Sequence, residues 1–365
     1  MRKRVALTAM LATAAAAVSI GMPAAAGAYP NFAPCGSECD IVVNSTADVP
    51  DAHPGDGTCE TAARNGVCTL RAAVQEANAS RQKSPYQSSI KLPAGTYRLT
   101  RHGLDDTADR GDLDLHFYGE VVGAGQSRTI VDGDAADRVF DLHESNERVA
   151  HLTVRNGRAT DGAGGGIRAV AVDGLEYLNV SRNEAVAGQA PDSGLGGGIS
   201  ATDSWVGYST LSYNTARDGG GMWWHGAQAG FGSDTIMYNH AAQGGGGLVF
   251  QADDSYFSNL TISGNTAGDH GGGIDMRGPN NFWFFDATAS TIASNSAPAG
   301  RGGGIWRGAV GDSPRSVAGL IVARNGGADC AGPGTLTSHG GNLSGDASCG
   351  FTAPSDRTGV DPAIG

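Results

Sequence analysis

Apolar and polar positions recur along this chain in step with two markers. A Gly-Gly-Gly tripeptide precedes each of Ile167, Ile199, Met222, Leu248, Ile274 and Ile305, at steps of 32, 23, 26, 26 and 31 residues. The second marker is an apolar residue, two variable ones and an asparagine, as in Val180-Ser-Arg-Asn183, Leu211-Ser-Tyr-Asn214, Ile236-Met-Tyr-Asn239, Ile262-Ser-Gly-Asn265, Ile292-Ala-Ser-Asn295 and Val322-Ala-Arg-Asn325. Between the markers lie short segments such as Gly273-Ile-Asp-Met-Arg277 and Asp234-Thr-Ile-Met237. They are too short and too β-branched for helices, and they alternate as strands do.

Short strands at a fixed repeat describe stacked coils, each burying its apolar face against the next. When a coil lies about 4.8 Å above the last, a corner that needs positive φ needs it in every coil, and glycine meets that need. A stacked asparagine can also turn left-handed, and its amide can bond to the asparagines above and below. The pattern predicts an all-β fold, a single-stranded right-handed parallel β-helix over residues 90–325. A disordered glycine-rich linker would not hold apolar residues at fixed offsets. Neither a leucine-rich pattern nor a propeller blade signature occurs.

One segment has a helical period. Thr69-Leu-Arg-Ala-Ala-Val-Gln-Glu-Ala-Asn78 puts Leu70, Ala73, Val74 and Ala77 on one face with Thr69 as N-cap. It predicts a short N-terminal capping α-helix over 69–79, within a cap spanning 29–89, that covers the open strand edge of the first coil. Residues 326–365 read as a C-terminal cap.

The chain opens with basic Met1-Arg-Lys-Arg4, an apolar run from Val5 to Met22, and Ala26 and Ala28 as the small residues of a cleavage site. Residues 1–28 therefore read as a signal peptide, with Tyr29 as the new N-terminus and a secreted, extracellular product. Removing its three cations takes the formal net charge from −12 to −15, which disfavours nucleic acid and anionic membrane surfaces as partners. No second apolar run is long enough for a membrane span. In an exported chain Cys35, Cys39, Cys59, Cys68, Cys330 and Cys349 read as disulfides, because no Cys/His cluster has zinc spacing. Proximity favours Cys35 with Cys39, Cys59 with Cys68 and Cys330 with Cys349, and every other pairing stays formally open.

Several elements resemble a known group. Gly55-Asp-Gly-Thr-Cys59 followed by Cys68-Thr-Leu-Arg-Ala-Ala73 is similar to the Cys-Ser-Leu-Arg-Glu-Ala element of secreted bacterial β-helix proteins, departing from it at Thr69 and Ala72. Ile90-Lys-Leu-Pro-Ala-Gly-Thr-Tyr97, Gly111-Asp-Leu-Asp-Leu115 and Asn342-Leu-Ser-Gly-Asp-Ala-Ser-Cys-Gly350 resemble elements that travel with it. The coils are also similar to the repeats of chlamydial polymorphic outer-membrane proteins. The resemblance covers nearly all of the chain after residue 28 and implies the pectate-lyase-like architecture. That superfamily holds lyases, hydrolases, epimerases and adhesins, so it implies no single reaction.

The register offers an outer face. If the residue after each triplet points inward, the coils expose Arg168 with Val170, Ser200 with Thr202, Trp223 with His225, Val249 with Gln251, Asp275 with Arg277, and Trp306 with Gly308. Such a band suits a sugar chain, since aromatic rings lie against pyranose faces and polar groups take hydroxyls. Trp223, Gln251 and Trp306 are the candidate substrate contacts, and His225, Asp275 and Arg277 the candidate catalytic groups. The only lysines are Lys3, Lys83 and Lys91 and the last glutamate is Glu184, so a lysine base or a glutamate pair is not available in the later coils. The acidic run Leu104–Asp114 is a candidate calcium loop without EF-hand spacing, and no cofactor is required. His151, His240, His270 and His339 read as single surface or corner residues. The expectation is a monomeric protein that binds an extracellular polysaccharide along this face, where the candidate catalytic groups would also allow cleavage, with a non-catalytic adhesin or matrix protein as the alternative.

Overall fold

Stacked coils account for the repeat. The computed structural model describes residues 40–80, 88–143, 145–226, 230–252, 254–277, 284–309 and 315–363. The segment read as a signal peptide lies outside the described residues, as do Cys35 and Cys39. In one coil the chain passes through strands Ile167–Val170, Gly174–Glu176, Asn179–Ser181 and Glu184–Ala185. Each pairs in parallel with its counterpart one coil on. Counted among the described residues, the four positions build a nine-stranded front sheet, eleven-stranded second and third sheets, and a five-stranded fourth sheet. Parallel pairing runs from Asp40–Val42, against Ser88–Leu92, to Leu343–Ser344 against Arg357–Thr358. The molecule is a right-handed parallel β-helix, the hand that a right-twisted strand imposes on its crossovers.

The glycine triplets stand in a column. Ile167, Ile199, Met222, Leu248, Ile274 and Ile305 pair in register from coil to coil and are all fully buried. The first glycine of each triplet carries the turn, as at Gly219 with φ 65°. The second has no room for a side chain: a Cβ on Gly220 would sit 2.4 Å from the Gly246 carbonyl oxygen and 2.5 Å from that of His240. Inside, Trp224 stacks on Phe250 at 5.3 Å and Phe231 on Phe257 at 5.5 Å, with the Trp224 indole N–H donating to the Ser204 carbonyl at 3.1 Å. Trp224 belongs wholly to the core.

The asparagines form the expected ladder by a different geometry. Asn239 accepts from both the backbone N–H and the side-chain amide of Asn214, at 2.9 and 3.0 Å, and donates to the Leu211 carbonyl and to Asn265. The left-handed residue is not asparagine but the one before it: Arg182, Tyr213, Tyr238, Gly264, Ser294 and Arg324 all have φ between 54° and 66°. An asparagine side chain that bonds inward must follow the turn, so its predecessor makes it.

The capping helix spans Leu70–Ser80, with the Thr69 hydroxyl accepting from the Ala72 N–H at 3.1 Å. It is buried from Leu70 through Ala77 rather than along one face. Arg71 explains this: its guanidinium pairs with Asp48 at 2.6 Å and donates to the carbonyls of Ala108 and Gly111, which clamps the helix beneath the Ala108–Asp112 loop. Disulfides join Cys59 to Cys68 and Cys330 to Cys349. Among the described residues no helix is long and apolar enough to cross a membrane.

Candidate functional site

Alternation places one residue in two of each front-sheet strand on the outside. The first outward column runs Asp114, Asp141, Arg168, Ser200, Trp223, Val249, Asp275, Trp306. The second carries Val170, Thr202, His225, Gln251 and Arg277, preceded by His143. The face thus has the composition read from the register, and it continues two coils further toward the N-terminus.

In the middle coils the Trp223 and His225 rings stack at 5.4 Å and are both half-buried, as is Gln251. Val249 is fully buried despite facing outward, because its methyl groups lie against the backbone at Gly245. Asp275 is covered too. Its Oδ2 accepts from His270 Nε2 at 3.0 Å and from Arg277 Nε at 2.5 Å, and Arg277 also reaches Asp218. His270 Nδ1 meets Asp269 at 2.9 Å, and Trp306 lies 5.1 Å from the His270 ring. His270 is therefore no isolated corner residue. The hydrogen bond to Asp275 raises its pKa, which favours an imidazolium between the two carboxylates. Burial works against the Asp218 carboxylate, but Arg277 and Arg217 outweigh it and hold its pKa low. Asp275, Arg277 and Trp306 come together around His270, whereas His225 stays on Trp223, two ladder steps from Arg277.

A stronger concentration of charge lies at the N-terminal end of the same face. Asp141 accepts from Arg168 at 2.8 Å and from Arg138 at 2.9 Å, and pairs with His143 at 2.9 Å. Arg138 also bridges to Asp112 at 2.7 Å. Asp114, one ladder step from Asp141, accepts the Ala108 N–H at 2.9 Å. Asp112, Asp114, Asp141, Arg138 and Arg168 line a cavity of about 280 Å³ with Asp105, Asp106, Asp137 and Asp161.

Their protonation diverges. Burial, reinforced by the Asp112 charge, pushes the Asp114 carboxyl up to about 8, and burial takes Asp112 up to about 7. Burial also disfavours the Asp141 carboxylate, but His143, Arg138 and Arg168 overcome it and hold its pKa below the ordinary range. One ladder step thus separates a carboxylic acid from a carboxylate. Of the acidic run Leu104–Asp114, only Asp114 belongs to a group of side chains close enough to share a metal ion among the described residues. Asp114, Asp141 and His143 offer ligand atoms within 4.8 Å of one another, but Asp141 already holds two guanidinium groups and the third donor is nitrogen. Calcium takes six to eight oxygens, so this donor set does not fit it.

The architecture and this outer face define the class as a parallel β-helix with a charged groove on one sheet. No protein-family profile and no curated protein matches the chain. Among solved structures it is similar to the A-modules of the Azotobacter vinelandii mannuronan C-5 epimerases AlgE6 and AlgE4, at 12% and 13% identity and a TM-score of 0.32 in each case. The matches cover 75% of this chain and 85% and 87% of those modules. Likeness at that level carries no functional argument, and the fold rests on the chain's own ladders.

Proposed function

We propose that this is a secreted, extracellular β-helix that binds a polysaccharide along the front sheet and acts on it at the Asp114–Asp141 pair. One observation carries the reading: adjacent carboxyls driven to opposite protonation states on the wall of a cavity. Environments that push two such groups apart divide acid from base. At neutral pH Asp114 carries a proton for the leaving glycosidic oxygen. Asp141, held ionised by Arg138, Arg168 and His143, stays a carboxylate beside it and stabilises the positive charge that develops on the sugar ring as the glycosidic bond breaks, with water completing the hydrolysis. Trp223, Gln251 and Trp306 supply rings and an amide to more distant sugars, and Arg277, held in place by Asp275, adds a polar contact. The chemistry needs no cofactor, since Arg138 and Arg168 already hold Asp141 in its charged form. The protein acts as a monomer, free of nucleic acid and membrane. Its caps resemble those of secreted β-helix proteins, which supports export.

A non-catalytic adhesin or matrix protein is favoured by one fact: Asp112, Asp114 and Asp141 are only 2–3% exposed, which limits how closely a polymer approaches them. Incubation with a panel of acidic and neutral polysaccharides separates the readings, followed by ultraviolet absorbance for unsaturated uronates and by reducing ends for hydrolysis. The enzyme reading expects one signal, abolished in Asp114→Asn. Retention on a polymer with neither signal rejects the enzyme and leaves the adhesin. Absence of retention and of both signals rejects the two together.

A further inference from the structure

Opposite corners of the third sheet carry aromatic side chains where the backbone least favours them. The corner entering that sheet is left-handed in every coil from His151 to Gly319, and is occupied in turn by His151, Tyr177, Tyr208, Ser233, Asn259, Ala289 and Gly319. The corner leaving it is likewise left-handed, with Arg182, Tyr213 and Tyr238 in three successive coils and Gly264 and Ser294 after them. Tyrosine at φ 53–57° is a costly choice for a turn that serine, asparagine and glycine make in the neighbouring coils. The turn itself therefore does not call for aromatic rings.

Burial does not call for them either. Tyr177, Tyr208, Tyr213 and Tyr238 are 39%, 48%, 54% and 54% exposed, and they make up four of the nine exposed large hydrophobic side chains among the described residues. They are held in ranks. His151, Tyr177 and Tyr208 stack at 4.7 and 4.9 Å, and Tyr213 stacks on Tyr238 at 5.4 Å with the Arg182 guanidinium 5.8 Å from the Tyr213 ring. The first rank stops at Ser233, whose short side chain leaves the outer face of Tyr208 without a further ring. The two ranks stand five residues apart along the strand, at most about 17 Å. Between them the outward residues are Asn179, Ser181, Thr210, Ser212, Thr235 and Met237, none of them charged, and Arg155 at the same position in the His151 coil is paired with Asp132.

We propose that this face, railed by Tyr177 and Tyr208 on one side and Tyr213 and Tyr238 on the other, is a second carbohydrate-binding surface that takes an uncharged glycan chain. Pyranose C–H faces pack on the exposed rings, with one sugar continuing the stack beyond Tyr208, and ring hydroxyls meet the threonine, serine and asparagine floor. Charge selects the class of glycan. The two cations that border the floor are engaged, Arg155 with Asp132 and Arg182 with Tyr213, and the chain as a whole carries −12. The front sheet, with its carboxyls and guanidinium groups, differs in all these respects. The surface is independent of the front-sheet reading and survives its failure.

The test uses the full chain and a double variant, Tyr208→Ser with Tyr238→Ser, which installs the residue that Ser233 and Ser294 already place at these corners. Retention is measured by affinity electrophoresis and pull-down on cellulose, chitin, mannan, xylan and mixed-linkage β-glucan, with alginate and polygalacturonate as charged controls. Circular dichroism and thermal unfolding report the fold of each variant. The expected result is retention on at least one neutral polymer, weakened about tenfold or more in the folded double variant and unchanged in Val49→Ala, an exposed apolar side chain outside both faces. The proposal is overturned by no retention on any neutral polymer or by equal retention of the double variant. It is also overturned if the double variant changes only self-association in sedimentation velocity, which would make the occupant a second copy of the chain.

Discussion

Asp234 is a buried acid whose environment sets how the fold responds to pH. It sits in an inward column whose polar members, Ser209, Ser290 and Asn342, each accept a backbone N–H from the preceding coil. Asp234 does the same for Ser209 through Oδ1 at 2.8 Å, but its Oδ2 is buried with no partner. Burial pushes the carboxyl up from 3.8 to about 7. A raised carboxyl favours the protonated fold, so its contribution is complete below the unfolded pKa and is lost as pH rises through the folded value. Three units at about 1.4 kcal/mol each amount to about 4 kcal/mol. Asp234→Asn keeps the acceptor and removes the titration, and Asn342 shows that an amide fits this column. Relative to the parent, the variant should be nearly neutral at about pH 4 and more stable by about 2–4 kcal/mol at about pH 8, read by guanidinium denaturation across that range. A difference that stays constant between those pH values would refute the reasoning.

Further substitutions test the site and the ladder. Asp114→Asn replaces a group that is already neutral at pH 7 and should shift stability by less than about 1 kcal/mol, whereas Asp141→Asn strands Arg138 and Arg168 and should cost about 3–5 kcal/mol, both measured by denaturant unfolding. Asn239→Ala removes bonds to Asn214, Asn265 and Leu211 in a sealed ladder and should lower stability by about 3–5 kcal/mol, with amide exchange accelerating first in the neighbouring coils. Chelation with EDTA should leave the melting temperature and polymer retention unchanged. A drop of more than about 4 °C, roughly the effect of 1–2 kcal/mol, would mean that a metal stabilises the fold.

The coil architecture was legible because its markers are steric. Gly220 cannot carry a Cβ and Asn239 cannot lose its amide, so both markers recur through the coils from Gly164 to Asn325. The outer face followed from strand period alone, which is why Trp223, His225, Gln251, Asp275 and Arg277 occupy the ladder positions assigned to them. Their surroundings did not follow. That His270 reaches back to Asp275 depends on the path of the corner between coils, and a pattern of alternation contains nothing about corners. The acid–carboxylate pair left a signal that glycine counting passes over: Leu113-Asp-Leu-His116 and Phe140-Asp-Leu-His143 are one motif repeated in adjacent coils, paired Asp114 to Asp141.

The visibility of the fold and the invisibility of that site have one cause. By register, Gly165 has Arg138 as its counterpart one coil earlier. A Cβ on Gly165 would lie 2.4 Å from carbonyl oxygens on both Glu184 and Gly197, so that corner admits no functional group. In the earlier coil the same corner accommodates Arg138, whose guanidinium then reaches Asp112 and Asp141. Coils stamped with the triplet have given up their corner to close stacking, and the coil without it keeps a side chain there to gather charge. Chemistry on this scaffold is therefore best sought where the repeat is most degraded. The two Asp-Leu-His coils, which precede the first glycine triplet, meet that condition and hold the carboxyls with the most divergent protonation on the front sheet.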